Sequence, residues 1–209
     1  MRPDGDPATD LGIVVIPDIF GLRPLFEDMA TDLAARHSWP VAVIDPFPGQ
    51  DLGPDVDARF DAMSSLEDDR LLGDAALAAT ALGTPRVACI GFCMGGMYAL
   101  KAAATGAFVR TVAFYGMIRL PLIWRGPGQA EPFDCLRRRS PHTEVLAVIG
   151  GRDPYTPAAD VALLTELAGV TVVEYPDAEH GFVHDASRPA HRPADAADAW
   201  SRAVAFLES

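Results

Sequence analysis

Cysteine is scarce in this sequence, which has three among 209 residues. An odd number of cysteines without the spacing of a disulfide framework indicates a reducing compartment. Long hydrophobic runs are also missing, since none approaches the roughly 18 apolar residues that a membrane span needs. The opening residues, 1–7, have no apolar core and do not have the pattern of a signal peptide. We therefore expect a cytoplasmic protein.

Positive charge is the second shortage. Lysine and arginine number 17 against 29 aspartates and glutamates, which gives a formal net charge of −12. Nucleic acids and anionic membrane surfaces repel an acidic protein, so we expect neither as a partner. The basic run at 137–139 is too short to be a nucleic-acid tract.

Apolar residues are present in ordinary amounts, at 49% of the chain, as in a soluble globular protein. The length predicts one domain over residues 11–209, preceded by a flexible N-terminus over residues 1–10 that is rich in Pro, Asp and Gly. No internal repeat, low-complexity tract or linker divides the chain. We expect a monomer or weak homodimer that acts on a small molecule.

Short apolar segments rich in β-branched residues alternate with helical patterns along the chain. The first, LGIVVIP, has no polar alternation, which is typical of a parallel strand covered on both faces. The alternation predicts an α/β fold with a six-stranded, mostly parallel sheet and helices on both faces. The predicted strands are 11–17, 41–44, 86–91, 111–115, 144–149 and 170–175.

Two further segments matter for the organisation of the chain. Residues 116–143 contain several prolines, Trp124 and three consecutive arginines, and they show no clear period. Irregular excursions of this length are usually functional or mobile. The last helix is predicted over 194–207, with an inward face made of Ala197, Trp200, Val204 and Leu207.

The motif around Cys93 suggests a nucleophile. Gly91-Phe92-Cys93-Met94-Gly95 is the G-x-S-x-G elbow with sulfur in place of oxygen, between a predicted strand and a predicted helix. Such a turn pushes the central side chain out above the sheet edge, and glycines keep Cβ atoms out of the crowded turn. The free N–H groups of the following helix point at Cys93 and favour a thiolate.

Asp153 and His180 follow two later strands, 144–149 and 170–175. Because the carboxyl ends of parallel strands meet at one edge of a sheet, both are expected beside Cys93. The chain order of nucleophile, acid and histidine is that of the α/β-hydrolases. Each residue alone has a plainer explanation, as a tight turn with a buried cysteine, a helix cap or a turn histidine. The three together favour a catalytic triad.

Each of these side chains has a separate role in the predicted acyl transfer. His180, oriented by Asp153, takes the proton of Cys93 or stabilises its thiolate. Cys93 attacks a carbonyl carbon, and the backbone N–H of Met94 binds the developing oxyanion. A second donor is expected from the loop after the first strand, where the N–H of Ile19 is the candidate. Water activated by His180 then releases the acyl group.

Four motifs in series resemble the dienelactone hydrolase family of cysteine-dependent α/β-hydrolases: VVIPDIFGL, GFCMGG, GGRDPYTP and EHGF. The resemblance extends from about residue 11 to the C-terminal helix. It implies a single-domain α/β-hydrolase fold, a triad of Cys93, Asp153 and His180, and hydrolysis of an enol-lactone or related ester. The enzyme named for this family is carboxymethylenebutenolidase.

The sequence departs from the family pattern in four places. The usual N-terminal β-hairpin is missing, so the sheet is expected to lack its N-terminal antiparallel strands. Asp18 stands where the family has a glutamate that interacts with the resting cysteine, and segment 116–143 is longer than usual. No arginine follows the histidine closely to bind a substrate carboxylate; His184 stands in that region and Arg188 lies further on. We therefore expect neutral esters and lactones to be hydrolysed at least as well as an anionic dienelactone.

Several other residues are candidates for contact with the substrate. They are Asp18, Phe20, Arg59, Trp124, Arg125, Phe182 and His184. A His-x-x-x-His spacing outside a helix is weak support for a metal, so we predict no metal and no cofactor. Cys89, inside a strand, is expected to be a small buried hydrophobe, and Cys135 to be incidental.

An alternative is a non-catalytic protein of the same fold that binds a small ligand, or a thiol redox sensor that uses Cys93. A protein that had lost catalysis would be expected to lack at least one member of the triad. All three residue types are present here. The sequence therefore favours the enzyme.

Overall fold

The structure is a computed structural model that describes residues 10–209. Residues 1–9 of the predicted flexible N-terminus lie outside the described residues. One six-stranded sheet has the order β2-β1-β3-β4-β5-β6, and each neighbouring pair is parallel. The strands are β1 (Leu11–Ile16), β2 (Val41–Val43), β3 (Arg86–Phe92), β4 (Arg110–Phe114), β5 (Glu144–Gly150) and β6 (Val170–Tyr175). This order confirms the predicted parallel sheet.

The helices connect successive strands. Pro24 begins the first helix, Asp55 caps the second by accepting a hydrogen bond from Asp57 N, and Gly83 ends the third at φ 65°. The helices are α1 (Pro24–His37), α2 (Val56–Met63), α3 (Asp68–Leu82), α4 (Met94–Ala102), α5 (Pro132–Arg137), α6 (Ala158–Thr165) and α7 (Pro193–Glu208). Within residues 10–209, no helix is both long and apolar enough to cross a membrane.

Both faces of the sheet are covered. All six residues of β1 are buried, as a continuous apolar run predicts. α1 and α7 pack on one face around an aromatic cluster that includes Phe26, Phe92 and Phe114. α3, α4 and α5 pack on the other face. The crossovers between parallel strands bring the loops after β1, β3, β5 and β6 to the carboxyl edge of the sheet, where ligands bind in such folds.

Two predictions of local structure are wrong. Residues 116–143, the covering segment, are not irregular throughout, because they contain a 3-10 turn at Leu122–Trp124 and the helix α5. Both elements are too short to give a visible period in the sequence. On α7 the predicted inward position of Ala197 is wrong, because Ala197 is exposed and the buried residues are Ala196, Ala199, Ala203 and Leu207. Trp200 and Val204 are half-buried and pack against the core, as predicted. Alanines form the buried stripe because their small side chains let α7 approach the sheet closely.

The covering segment is attached to the rest of the domain through a buried ion pair. Lys101, fully buried at the end of α4, donates to Asp68 Oδ1 at 2.7 Å and to Oδ2 at 3.0 Å. Asp68 Oδ2 also accepts the N–H of Ala130 at 2.8 Å. The carboxylate of Asp68 therefore holds α3, α4 and the covering segment together. A buried charge of this kind is tolerated because it is paired and hydrogen-bonded.

Candidate active site

The turn between β3 and α4 holds Cys93 at φ 55° and ψ −114°, a conformation that non-glycine residues seldom adopt. Cys93 N–H donates to Phe114 O at 3.0 Å, which ties the turn to β4. The flanking glycines are required by space. A Cβ atom on Gly91 would lie 1.9 Å from Gly95 O, and a Cβ on Gly95 would lie 2.0 Å from Ile16 O. The cysteine side chain is thereby held at the carboxyl edge of the sheet.

Asp153 and His180 meet beside this turn. Asp153 Oδ2 lies 2.7 Å from His180 Nδ1, and Asp153 Oδ1 accepts the N–H of Tyr155 at 2.8 Å. The Asp153 side chain is fully buried, while 13% of the His180 side chain is exposed. With Nδ1 bonded to the carboxylate, His180 is left with Nε2 for a partner on the pocket side.

The charge state of His180 depends on its two neighbours. Burial alone would lower the pKa of His180, but the nearby Cys93 sulfur and the Asp153 carboxylate raise it from 6.5 to about 10. The charges of both neighbours therefore favour the protonated imidazole. A cationic histidine between a carboxylate and a sulfur is the arrangement that cysteine hydrolases use to generate a thiolate.

Two tyrosines hold the ring of His180 from its sides. The Tyr115 ring centroid lies 5.2 Å from that of His180 and the Tyr155 centroid 4.9 Å away, each at an interplanar angle of 67°. Edge-to-face contacts of this kind favour one ring orientation. Tyr115 is fully buried and Tyr155 is exposed at the mouth of the pocket.

A pocket of about 200 Å³ opens over these side chains. Its wall is mostly apolar and aromatic and includes the charged side chains of Asp18 and Arg188. The lining residues are Asp18, Ile19, Phe20, Val56, Phe60, Cys93, Trp124, Tyr155, His180 and Arg188. The cavity has room for a small ring rather than for a long acyl chain. Within residues 10–209, no carboxylate forms an ion pair with Arg188.

Asp18 carries a fixed negative charge at the edge of the pocket. Its Oδ1 accepts Phe20 N at 2.9 Å and Arg23 Nη1 at 2.6 Å. Its Oδ2 accepts Arg23 Nη2 and His184 Nε2, both at 2.9 Å. Burial would raise the pKa of Asp18, but the bonds from His184 and Arg23 outweigh it and lower the pKa well below the ordinary value.

The structure brings together some of the predicted substrate residues and not others. Asp18, Phe20 and Trp124 line the pocket together with Ile19, whereas Met94 is buried at the first position of α4. Four predicted contacts are absent from the pocket wall: those of Arg59, Arg125, Phe182 and His184.

Each of these four side chains has a different partner. Arg59 donates to Ile19 O at 3.0 Å and to Gly53 O at 2.8 Å, which braces the loop after β1. Arg125 is exposed and pairs with Glu131 at 2.5 Å. Phe182 is fully buried against tyrosine rings, and both ring nitrogens of His184 are hydrogen-bonded inside the protein. These four side chains therefore lie outside the wall of this pocket, and their contact with a substrate stays a prediction.

Four lining residues were not assigned from the sequence. Tyr155 could have been found, since it lies two positions after Asp153 in the same strand-end loop. Val56 and Phe60 come from α2, whose position over the pocket depends on packing that no local pattern shows. Arg188 is separated from His180 by a loop without helix or strand. No pattern in the sequence therefore indicates that the chain brings Arg188 back to the pocket.

No group of three or more histidine, cysteine, aspartate and glutamate side chains in the described part of the chain is arranged to hold a metal ion. The strained cysteine, the Asp–His pair and an aromatic pocket together define a site suited to acyl transfer.

Solved structures with a similar fold define the class of this protein's fold. A protein from Klebsiella pneumoniae subsp. pneumoniae that is described as a dienelactone hydrolase matches with a TM-score of 0.85 at 23% identity. The match covers 99% of this chain and 90% of that one. Esterase 2 of Thermogutta terrifontis matches with a TM-score of 0.63 at 14% identity, over 98% and 85% of the two chains. The protein is a single-domain α/β-hydrolase in fold, as predicted.

The family follows from the sequence comparison. The model of the dienelactone hydrolase family matches residues 1–209, and the chain belongs to this family. Carboxymethylenebutenolidase of Rhodococcus opacus is 28% identical over 225 residues, covering 100% of this chain and 84% of that protein. A Bradyrhizobium sp. protein named "Probable 2-oxo-3-(5-oxofuran-2-ylidene)propanoate lactonase" is 28% identical over 210 residues, covering 93% and 82%. The predicted carboxylic ester hydrolase is confirmed at the level of the family.

Proposed function

We propose that this protein hydrolyses a small ester or lactone through Cys93, His180 and Asp153, by way of an acyl-enzyme. The observation that carries the proposal is the 2.7 Å contact of Asp153 with His180 Nδ1 in a pocket that Cys93 also lines. A carboxylate in this position fixes the tautomer and the orientation of the imidazole. The ring is then ready to exchange a proton with the sulfur and with the substrate.

Acylation uses the protonated form of His180. The Cys93 thiolate attacks the carbonyl carbon, and a sulfur–carbon bond forms as the carbonyl oxygen becomes an oxyanion. The N–H groups of Met94 and Ile19 are the proposed donors to this oxyanion. When the tetrahedral intermediate collapses, the carbon–oxygen bond breaks and His180 donates its proton to the leaving alkoxide.

Deacylation needs the opposite protonation state, and the acyl-enzyme supplies it. Once Cys93 is a thioester, the sulfur no longer carries the charge that raises the pKa of His180. Burial then lowers the pKa, so that the imidazole accepts a proton from the attacking water. The resulting intermediate releases the acid and restores the thiolate beside an imidazolium.

The position of Arg188 changes the expectation about the substrate. The preference for neutral substrates rested on a pocket without an arginine, and Arg188 lines the pocket. The names of the two relatives denote lactones that carry a carboxylate. An unpaired guanidinium recognises a carboxylate through two parallel hydrogen bonds. We therefore propose a small unsaturated lactone or ester with a carboxylate as the substrate.

Turnover measurements test the proposal directly. Carboxylate-bearing lactones, neutral lactones, short p-nitrophenyl esters and thioesters would be offered to the wild type and to Cys93→Ala. Hydrolysis by the wild type alone supports the proposed nucleophile. Equal hydrolysis by both proteins would contradict it, and binding of a lactone without turnover would favour the ligand-binding alternative.

A further inference from the structure

A second carboxylate–imidazole pair lies behind the proposed triad. His184, which is fully buried at its side chain, places Nε2 2.9 Å from Asp18 Oδ2. Its Nδ1 is hydrogen-bonded to the hydroxyl of Tyr115. Asp18, His184 and Tyr115, here called the second chain, thus run from the edge of the pocket to the interior beneath His180.

The direction of the hydrogen bonds in the second chain is fixed from its carboxylate end. Asp18 is ionised, since Arg23 donates to both of its oxygens, so His184 Nε2 must donate to it. Burial keeps His184 neutral by lowering its pKa, and its Nδ1 is therefore an acceptor. Tyr115 then donates its hydroxyl proton to His184. Burial, followed by the charges of Cys93 and Asp18, raises the pKa of Tyr115, so the phenol keeps that proton.

The backbone of Tyr115 is strained in the same way as that of Cys93. Tyr115 has φ 41°, and it directly follows β4 as Cys93 directly follows β3. Phe92 and Phe114, the residues before them, are register partners in the sheet. Tyr115 N–H donates to Val148 O at 2.7 Å, which holds the strained residue in place. Positive φ at a bulky residue has a cost and is found mainly at functional sites.

The ring of Tyr115 connects the second chain to the triad. Its centroid is 5.2 Å from that of His180, edge to face, while its hydroxyl is held by His184 at the far end of the same side chain. The His184 ring is itself packed against Phe26 and Phe92, at 5.7 and 5.1 Å between centroids. Rotation of Tyr115 away from His180 would therefore break a buried hydrogen bond as well as aromatic packing.

We propose that Asp18, His184 and Tyr115 are positioning residues that hold His180 in line with Cys93. The proposal rests on the assignment of Cys93 and His180 as the reacting pair. In this role His184 acts through its hydrogen bond to Tyr115 and not through contact with the substrate. Asp18 connects the second chain to the pocket wall. A displacement of about 1 Å of a catalytic group can cost about a hundredfold in rate, so a brace of this kind is expected to affect kcat.

Alkylation of Cys93 by iodoacetamide tests the proposal without a substrate. Its rate, followed across pH, reports the Cys93–His180 pair in the free protein. Tyr115→Phe keeps the ring and removes only the hydroxyl, while His184→Leu removes both hydrogen bonds. We expect each to slow alkylation by about tenfold or more and to shift its pH profile. His184→Gln can still accept from Tyr115 and donate to Asp18, so its rate should stay within about threefold of wild type.

Tyr175→Phe is the matched control, because it removes a hydroxyl that is bonded to Asp198 at 2.7 Å on the side of α7. It should leave the alkylation profile unchanged. The proposal would be overturned if Tyr115→Phe had the pH profile of alkylation of the wild type. It would also be overturned if His184→Leu folded and His184→Gln were alkylated as slowly as that variant. On a hydrolysed ester, a rise in KM with unchanged kcat in His184→Gln would also overturn it. If no ester is hydrolysed but the alkylation rates change as expected, the positioning role stands and the proposed hydrolysis fails.

Discussion

At the scale of residues, the three cysteines have different surroundings and should differ in reactivity. Cys89 in β3 and Cys135 in α5 are buried, and burial raises the pKa of both thiols. Cys93 alone among the three lines the pocket and adjoins His180. We expect iodoacetamide to label one site per chain, Cys93, and to abolish hydrolysis, as mass spectrometry and an ester assay will show. Full labelling of Cys135 with activity intact would refute the assignment.

The raised pKa of His180 predicts the pH dependence of catalysis. In the free enzyme the proton on His180 is needed for the leaving group and is held up to a pKa of about 10. The value of kcat/KM should therefore be level through neutral pH and decline near pH 10. Asp153→Asn removes one cause of the shift and should move the decline to lower pH. A wild-type decline near pH 6.5 would show that His180 is unperturbed.

Arg188 is expected to select for a carboxylate. Arg188→Ala should raise KM about tenfold or more for a carboxylate-bearing lactone, because a charge-assisted bidentate contact is lost. KM for a neutral lactone of similar size should change little. Arg125→Ala is the matched control, since Arg125 is exposed and pairs with Glu131 outside the pocket. An equal rise in KM for both lactones would mean that Arg188 shapes the pocket but does not recognise the charge of the substrate.

The positions of the three proposed triad residues were predictable, whereas several residues of the pocket wall were not. Cys93, Asp153 and His180 each directly follow or lie close to a strand end, so local motifs and the parallel topology are enough to place them at one edge. Arg125 and Arg188 lie on irregular segments, where chain path decides which arginine reaches the pocket. A local sequence pattern does not determine that path, so it does not show that Arg188 lines the pocket and that Arg125 lies outside it.

At the scale of elements, the approach of α4 to β1 depends on Gly95. A Cβ there would meet the backbone oxygen of Ile16, which cannot move without distorting β1. We expect Gly95→Ala to lower the free energy of unfolding by several kcal/mol, on the order of other severe backbone clashes. Gly73→Ala is the control, since a Cβ at Gly73 in α3 would meet nothing within 4 Å. It should raise stability by up to about 1 kcal/mol in urea titrations.

The accuracy with which each helix or strand was predicted increases with its length and its burial. β1 and β5 are continuous apolar runs and were placed to within a residue or two. α5 was missed because six residues give less than two helical turns. On α7 the predicted large apolar residues Trp200, Val204 and Leu207 do pack on the core, whereas the small buried residues are Ala196, Ala199 and Ala203 rather than Ala197.

At the scale of the whole molecule, stability should depend on pH through three buried groups. The contribution of His180, whose pKa is raised by folding, is complete below 6.5 and is lost as pH rises through about 10. Burial lowers the pKa of His184, so its contribution is lost as pH falls below 6.5. The lowered pKa of Asp18 adds a loss at pH values below 3.8. The free energy of unfolding should therefore be largest near pH 6.5.

Urea unfolding across pH will measure this dependence. Cys93→Ala removes the sulfur that raises the pKa of His180, so the alkaline loss should become smaller in that variant. His184→Gln removes the titrating group on the acid side and should make that loss smaller. A protein whose stability increased steadily from pH 6.5 towards pH 10 would contradict the assigned protonation of His180.

The anchoring of the covering segment makes part of it exchangeable. Leu120 N–H donates to Glu131 Oε2 at 3.0 Å, and Phe133 N–H donates to Ile118 O at 3.1 Å, so the two ends of the stretch 121–130 are held together like the base of a hairpin. That stretch carries Trp124 to the pocket, and its second half is fastened to α2 and α3: Ala130 N–H donates to Asp68, Gly128 O accepts the N–H of Asp68, and Gly126 lies too close to Ser64 O to carry a side chain. For enzyme engineering its first half is a cassette: replacing residues 121–125 while residues 126–130 are kept would alter the pocket wall, and the Cys93 turn, the His180 loop and the sheet would keep their own supports.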